Sequence, residues 1–144
     1  VAALDALARR DHASEDLRRK LLKKGYDALI VAPLLEALCG EKLLDDRRYT
    51  ENFVAYHASR GQGPLRVRAE LRRHGLEGPL VEECLGNFSD WIVHLRKARQ
   101  KKFGEAPPGN YADTQRQARF LSYRGFTSVQ IRTALGLSFD LDAD

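Results

Sequence analysis

The sequence predicts an all-α fold built from three tandem three-helix repeats, and three observations carry that prediction. A short pattern recurs at Lys20–Tyr26, Glu70–Leu76 and Phe120–Phe126, with glycine at 25, 75 and 125, so the interval is the same both times. Equal spacing of that length marks tandem structural repeats. The residues after each glycine keep helical spacing, as in Val31, Leu35 and Cys39, which share one helix face. No alternation of apolar and polar residues long enough for a strand occurs.

Each copy of the pattern reads as a helix with a defined stop. Glycine one residue past a helix end can take the left-handed conformation that other residues enter only at steric cost. In the Schellman form of this cap the residue after the glycine packs on the residue four before it. Those pairs are Leu21 with Tyr26, Leu71 with Leu76 and Leu121 with Phe126, all apolar. The register extends further: Leu17, Val67 and Gln117 correspond, as do Val31, Val81 and Ile131, then Leu34, Cys84 and Ala134, then Leu35, Leu85 and Leu135.

The repeats divide the chain at 1–40, 41–87 and 88–144, the last ending in an acidic tail. In the first, residues 2–11 predict a helix with Leu4, Leu7 and Ala8 on one side. Ser14 is the expected N-cap of the second helix, followed by Glu15 and Asp16 at its positive end. Asp27 can cap the third, which runs to about Cys39, and Gly40–Leu44 reads as a connection. The second repeat starts at Asp45-Asp46 and holds Tyr49, Phe53, Val54 and Tyr56 in its first helix. It turns at Gly61-Gln62-Gly63 and resumes at Pro64, which a helix tolerates at its first position. Val67 and Leu71 then face inward, and after Gly75 so do Val81, Cys84 and Leu85. The third opens near Ser89 with an apolar stripe of Trp91, Ile92, Leu95 and Ala98. Pro107-Pro108-Gly109 forces a loop. Asp113 is the expected cap of the next helix and Thr127 of the last.

Composition narrows the class. With 144 residues and 43% hydrophobic content, the chain suits one domain or an array of small units. No apolar run approaches the roughly 20 residues of a membrane helix, and no signal peptide is visible. The chain begins at Val1 and holds no methionine, so an upstream start is expected. Cys39 and Cys84 lie on apolar helix faces and read as buried free thiols, with the cytoplasm as default compartment. A net charge of +4 and a pI of about 9.2 favour an anionic partner. Asp140, Asp142 and Asp144 run against that trend and read as a solvated tail.

The candidate contacts with such a partner are basic. In the second repeat they are Arg60, Arg66, Arg68, Arg72 and Arg73; in the third, Arg96, Lys97, Arg99, Lys102, Arg116, Arg119 and Arg124. Arginine presents a planar fork that binds phosphate or carboxylate in a bidentate way. Few acidic residues interleave Arg96 to Lys102, which sets that stretch apart from an ordinary solvated helix face. Catalytic chemistry has little in its favour. His12, His57, His74 and His94 are scattered without i, i+4 metal spacing, no Cys-x-x-Cys occurs, and Asp45-Asp46 reads as a cap. Gly61-Gln62-Gly63 lacks the strand and the Lys-Ser/Thr of a phosphate loop. No catalytic residue, cofactor or metal is assigned.

Three functional classes fit a helical array with long exposed faces: a groove- or filament-binding protein, a helix-turn-helix DNA-binding module, and a scaffold for another protein. The helix after Gly25 offers Asp27, Ala28, Leu29 and Ile30, which is poor chemistry for reading bases. Ser128 and Gln130 after Gly125 suit it better.

The chain resembles the bacterial RecX family over nearly its whole length. The specific matches are Ser14-Glu15-Asp16-Leu17 with Lys20-Leu21 and Lys24-Gly25, Leu44-Asp45-Asp46-Arg47-Arg48-Tyr49, Gly61-Gln62-Gly63-Pro64 with Glu70-Leu71 and Gly75, and Arg124-Gly125-Phe126. The family usually carries tyrosine where this chain has Gln62. The resemblance implies three repeats in an elongated, curved molecule. It also implies a regulator that lies in the groove of RecA assembled on single-stranded DNA and bridges neighbouring RecA subunits. The implied result is suppression of ATP hydrolysis, strand exchange and co-protease function, and so control of DNA repair and the SOS response. Single-stranded DNA is then a partner, duplex DNA a weaker one, and the protein a monomer.

Reversing Arg68 and Arg72 together to glutamate is expected to weaken filament inhibition with the helical circular-dichroism signal intact. Unchanged inhibition would remove that helix flank from the site.

Overall fold

Nine helices and no strand make up residues 2–136, the part of the chain that the computed structural model describes. They are α1 (Ala2–Arg9), α2 (Ser14–Lys23), α3 (Ala28–Gly40), α4 (Asp46–Ser59), α5 (Pro64–Arg73), α6 (Pro79–Asn87), α7 (Trp91–Phe103), α8 (Tyr111–Tyr123) and α9 (Ser128–Leu135). They group in threes, as the glycine periodicity predicts. The acidic tail at Asp140, Asp142 and Asp144 lies outside the described residues.

The three glycine stops form as expected. Gly25, Gly75 and Gly125 have φ of +96°, +74° and +99°. The glycine N–H groups donate to the carbonyls of Leu22, Arg72 and Ser122. Those of Tyr26, Leu76 and Phe126 donate to Leu21, Leu71 and Leu121. This is the paired Schellman pattern. Leu76 and Phe126 are buried beneath it, whereas Tyr26 remains half exposed. Two more ends use the same closure. Gly61 (φ +83°) and Gln62 donate to Ala58 and His57. Lys42 and Leu43 donate to Cys39 and Leu38, with Lys42 itself left-handed at φ +61°. Sequence reasoning misses this last stop because a lysine occupies the glycine position.

Start signals are met in part. Asp27, Asp45 and Thr127 accept from the N–H groups of Leu29, Arg48 and Gln130, and Thr127 N–H donates in turn to Gln130 Oε1 in a capping box. Two expected caps are corrected. Ser14 is the first helical residue of α2; its N–H donates to Asp46 Oδ1 (2.8 Å) and its hydroxyl to Asp46 Oδ2, so the acceptor comes from the next repeat. Asn110 caps α8 by accepting from Asp113 N–H at 2.8 Å, and Asp113 stands inside the helix. Its carboxylate bonds Gly109 N–H and Arg116 instead.

The columns read from the repeat are buried at their main positions: Leu17, Val67 and Gln117, and Val31, Val81 and Ile131. Burial of each large apolar side chain there contributes about 2 kcal/mol. Two expectations fail. In α1 the buried residues are Ala3 and Ala6, while Leu4 is exposed, because the helix approaches its neighbours on its small-residue side. Cys39 is exposed and only Cys84 is buried, since the last turn of α3 presents Leu38, not Cys39, to the core.

The second and third units do not keep separate cores. Ala3, Ala6, Leu17, Leu21, Val31, Leu38 and Leu44 form one cluster. A second runs through both later repeats, from Val54, Val67 and Leu71 to Leu95, Leu121 and Phe126. Fusion comes from helix ends meeting. The N–H groups of Gly63 and Leu65, on either side of Pro64, donate to the carbonyls of Arg124 (2.8 Å) and Gly125 (2.9 Å). The orphan donors at the start of α5 thus satisfy the orphan acceptors at the end of α8. A Cβ at Gly63 would lie 2.4 Å from the Gly125 carbonyl carbon, and one at Gly125 would lie 2.4 Å from Arg66 Cβ. The junction of the first two units has the same layout with side chains in place of backbone. Gly75 faces Glu15, Arg19 Nη1 donates to the Arg73 carbonyl (2.9 Å), and His74 Nδ1–H donates to Asp16 Oδ2. Gly25 has no such neighbour.

The glycines should therefore differ in cost. Gly25→Ala loses only the left-handed preference, about 1 kcal/mol. Gly125→Ala adds overpacking against Arg66, for a total of about 3 kcal/mol. Urea unfolding measures both, and equal losses would contradict the close-approach account.

Candidate nucleic-acid interface

The fused junction creates a groove of about 320 Å³ between the end of α4, the middle of α7 and the end of α8. Its walls follow from local sequence. The glycine stop at Gly61 brings the α4 terminus against α7, where a Cβ would come within 3.2 Å of Ala98 Cβ. Small residues on both sides let the helices close there. His94, Lys97 and Lys101 recur at helical spacing along α7 and line one wall. Phe120 and Arg124, four apart on α8, line the opposite wall, and Arg60 closes the end.

The groove is electrostatically one-sided. Arg60, Lys97, Lys101, Lys102 and Arg124 line it, and no lining residue is acidic. Among the described residues none of the five forms an ion pair with a carboxylate. Like charges lining a cleft with low-dielectric walls focus a field that attracts anions. Arg124 and Lys102 also lie over the Phe120 ring, 5.3 and 5.9 Å from its centroid, and Arg60 lies 5.6 Å from that of Tyr56. These cation–π contacts hold the charged heads over the aromatic wall.

The remaining basic candidates are dispersed or engaged. Arg68 grips Glu82 with both sides of its fork (2.7 and 2.9 Å), and that bond holds the Glu82 carboxyl below the ordinary carboxylate range. Arg72 lies 3.6 Å from Glu77 and Arg73 3.6 Å from Glu70. Arg66 backs onto Gly125 at the junction. Arg116 pairs with Asp113, whose carboxyl it lowers, and stacks over Phe103. Arg99 donates to Gln117 Oε1 and to the carbonyls of Gly104 and Ala106, so it ties the proline loop to α7 and α8. Arg96 borders a second hollow beside that loop, and Arg119 is solvent-exposed. The sequence candidates brought together are thus Arg60, Lys97, Lys102 and Arg124. Lys101, His94 and Phe120 join them; Lys101 was legible as the i+4 neighbour of Lys97, but the aromatic wall was not.

Nothing else in the described residues gathers chemistry. No group of three or more His, Cys, Asp or Glu residues there could hold a metal ion. His57 meets Gln62 Oε1 at 3.1 Å, His74 meets Asp16, and His12 is buried, which pushes its pKa down. No helix among the described residues is long and apolar enough to cross a membrane. The start of α3 exposes Leu29 and Ile30, which carry no groups for base edges.

Comparison with known proteins assigns the architecture to one family. Family models described as the first, second and third three-helix domains of RecX match residues 1–38, 45–85 and 92–135. A protein of Halorhodospira halophila named "Regulatory protein RecX" is 43% identical over 134 residues, covering 92% of this chain and 83% of its own. A protein of the same name from Acidithiobacillus ferrooxidans is 40% identical over 140 residues, 97% and 90% of the two chains. The crystal structure of RecX from Lactobacillus salivarius superposes with a TM-score of 0.81 at 18% identity, covering 94% of this chain and 90% of that one. A second RecX crystal structure gives 0.75 at 22% identity, covering 93% and 69%.

Arg99 has the contacts of a structural residue. Arg99→Ala should cost about 1–3 kcal/mol in urea unfolding, since it strands Gln117 and two loop carbonyls, while nucleic-acid affinity of the folded protein changes less than twofold. A large affinity loss with unchanged stability would return Arg99 to the interface.

Proposed function

The chain belongs to the RecX family, and from that premise we propose that it regulates recombination by binding the RecA–single-stranded DNA filament. It lies in the filament groove as a monomer, bridges neighbouring RecA subunits, and suppresses ATP hydrolysis, strand exchange and co-protease function. DNA repair and the SOS response are modulated as a consequence, in the cytoplasm. The observation that carries the reading is the groove at the junction of the second and third repeats, where five cations converge without an acidic neighbour. A string of helical units with long exposed faces suits a polymer better than a small substrate. The groove suits a phosphodiester backbone, because Arg60 and Arg124 offer forked donors and Lys97, Lys101 and Lys102 offer point charges. The role is one of binding, with no reaction assigned to any side chain.

The α5 flank is a weaker candidate than the groove. Arg68 and Arg72 face Glu82 and Glu77 of their own repeat, so much of their charge is already offset. A phosphate contact there must first break those pairs.

Charge reversal tests this ranking. Lys97→Glu with Arg124→Glu should reduce filament inhibition at least tenfold, and Arg68→Glu with Arg72→Glu by a smaller factor. For bare single strands the salt dependence should flatten by about 1.4 in log K per log salt in the groove variant, at about 0.7 per lost phosphate contact. An unchanged slope and undiminished inhibition in the groove variant would refute the assignment. Sequence-specific duplex binding at physiological salt would instead favour a helix-turn-helix module.

A further inference from the structure

Two tyrosines flank the basic groove with their rings in solvent. Tyr123 is 81% exposed and Tyr56 56% exposed. An aromatic ring left in water forgoes the burial that makes such residues useful to a core. Tyr56 is coupled to a groove cation, and Tyr123 adjoins one in sequence. Tyr56 lies four residues before Arg60 on α4, and the Arg60 guanidinium sits over its ring. Tyr123 lies three residues after Phe120, within one helical turn of that lining ring, and directly before Arg124. On both the α4 and the α8 sides an exposed tyrosine thus stands within about one helical turn of a cation that lines the groove.

We infer that Tyr123 and Tyr56 are stacking platforms for unpaired bases, and that they give the groove its preference for single-stranded over duplex nucleic acid. The inference rests on the groove being a phosphate-binding surface and adds what distinguishes one nucleic acid from another. Phosphates alone do not discriminate, because both forms present them. A duplex keeps its base faces inside the stack, whereas a single strand can turn each face onto an aromatic ring. Stacking of this kind tolerates any base, since every base has a π-face. It also explains a groove with many cations and no side-chain carboxylate or amide positioned to read base edges. Arg60 and Arg124 add guanidinium planes beside the rings on which a base can also lie.

The test uses the full chain at low salt with three labelled probes of equal length: oligo-dT, an abasic sugar–phosphate oligomer, and a duplex. Fluorescence anisotropy should show wild-type protein binding oligo-dT at least roughly fivefold more tightly than the abasic strand for each base stacked. Tyr123→Ala and Tyr56→Ala should each lower affinity for oligo-dT by a similar factor. Tyr123→Ala should leave the abasic strand and duplex unchanged, and Tyr56→Ala, which also frees Arg60, should weaken them by less than it weakens oligo-dT. Tyr123→Phe should retain the wild-type preference, because the ring and not the hydroxyl is used. Tyr111→Ala, at the far end of α8, should behave as wild type. Equal affinity of the wild type for oligo-dT and the abasic strand would overturn the stacking role while leaving the phosphate groove standing. Failure of the wild type to bind any of the three would overturn the groove reading itself.

Discussion

Helix ends meeting helix ends is the interaction on which this molecule depends. The last carbonyls of α8 accept from the first free N–H groups of α5, so two sets of backbone groups that helices leave unpaired are satisfied by each other. The approach is possible only because Gly63 and Gly125 present no Cβ, and a Cβ at either would clash with the facing chain. Pro64 sits between the two donors and has no N–H to leave stranded. The partial positive end of one helix also faces the partial negative end of the other, which adds attraction.

The two junctions solve one problem with different chemistry. Between the second and third repeats, backbone bonds backbone and the two cores run together. Between the first and second, Arg19, His74–Asp16 and Ser14–Asp46 do the joining, and the first repeat keeps its own apolar cluster. Ionisable groups can be solvated when they part, whereas paired backbone groups in an apolar setting cannot without losing most of their bond energy. The second and third repeats therefore form the firmer platform, and the basic groove lies across that platform.

Clustering cations is costly to the free protein. Two unit charges at 4 Å repel by about 1 kcal/mol in water and more near a low-dielectric wall. The chain offsets part of this by laying Arg60, Arg124 and Lys102 over aromatic rings and leaving their heads hydrated. Elsewhere it follows the opposite rule and pairs its arginines with acids, as at Arg68–Glu82 and Arg116–Asp113. Cations left unpaired beside cations carefully paired are what make the groove the candidate binding surface.

The sequence by itself determined the repeat, its helices and its stops. The equal spacing of Gly25, Gly75 and Gly125 and the apolar residues around them are local signals, and backbone sterics make them decisive. Local signals were ambiguous where a side chain could serve either its own helix or a neighbour. Ser14 takes its bond from Asp46 of the next repeat, Asp113 turns to Arg116 and Gly109, and Lys42 takes the left-handed stop with no glycine to announce it. The candidate site divides the same way. Sequence shows the twelve basic candidates as equals, because charge has no period that separates a free cation from a paired one. Only tertiary structure decided that Arg68 meets Glu82, that Arg99 is spent on a loop, and that Arg60 from one repeat stands beside Lys97 and Arg124 of another. That decision required the distance between residues far apart in the chain, and this distance is set by two glycines at a junction, not by any neighbour in sequence.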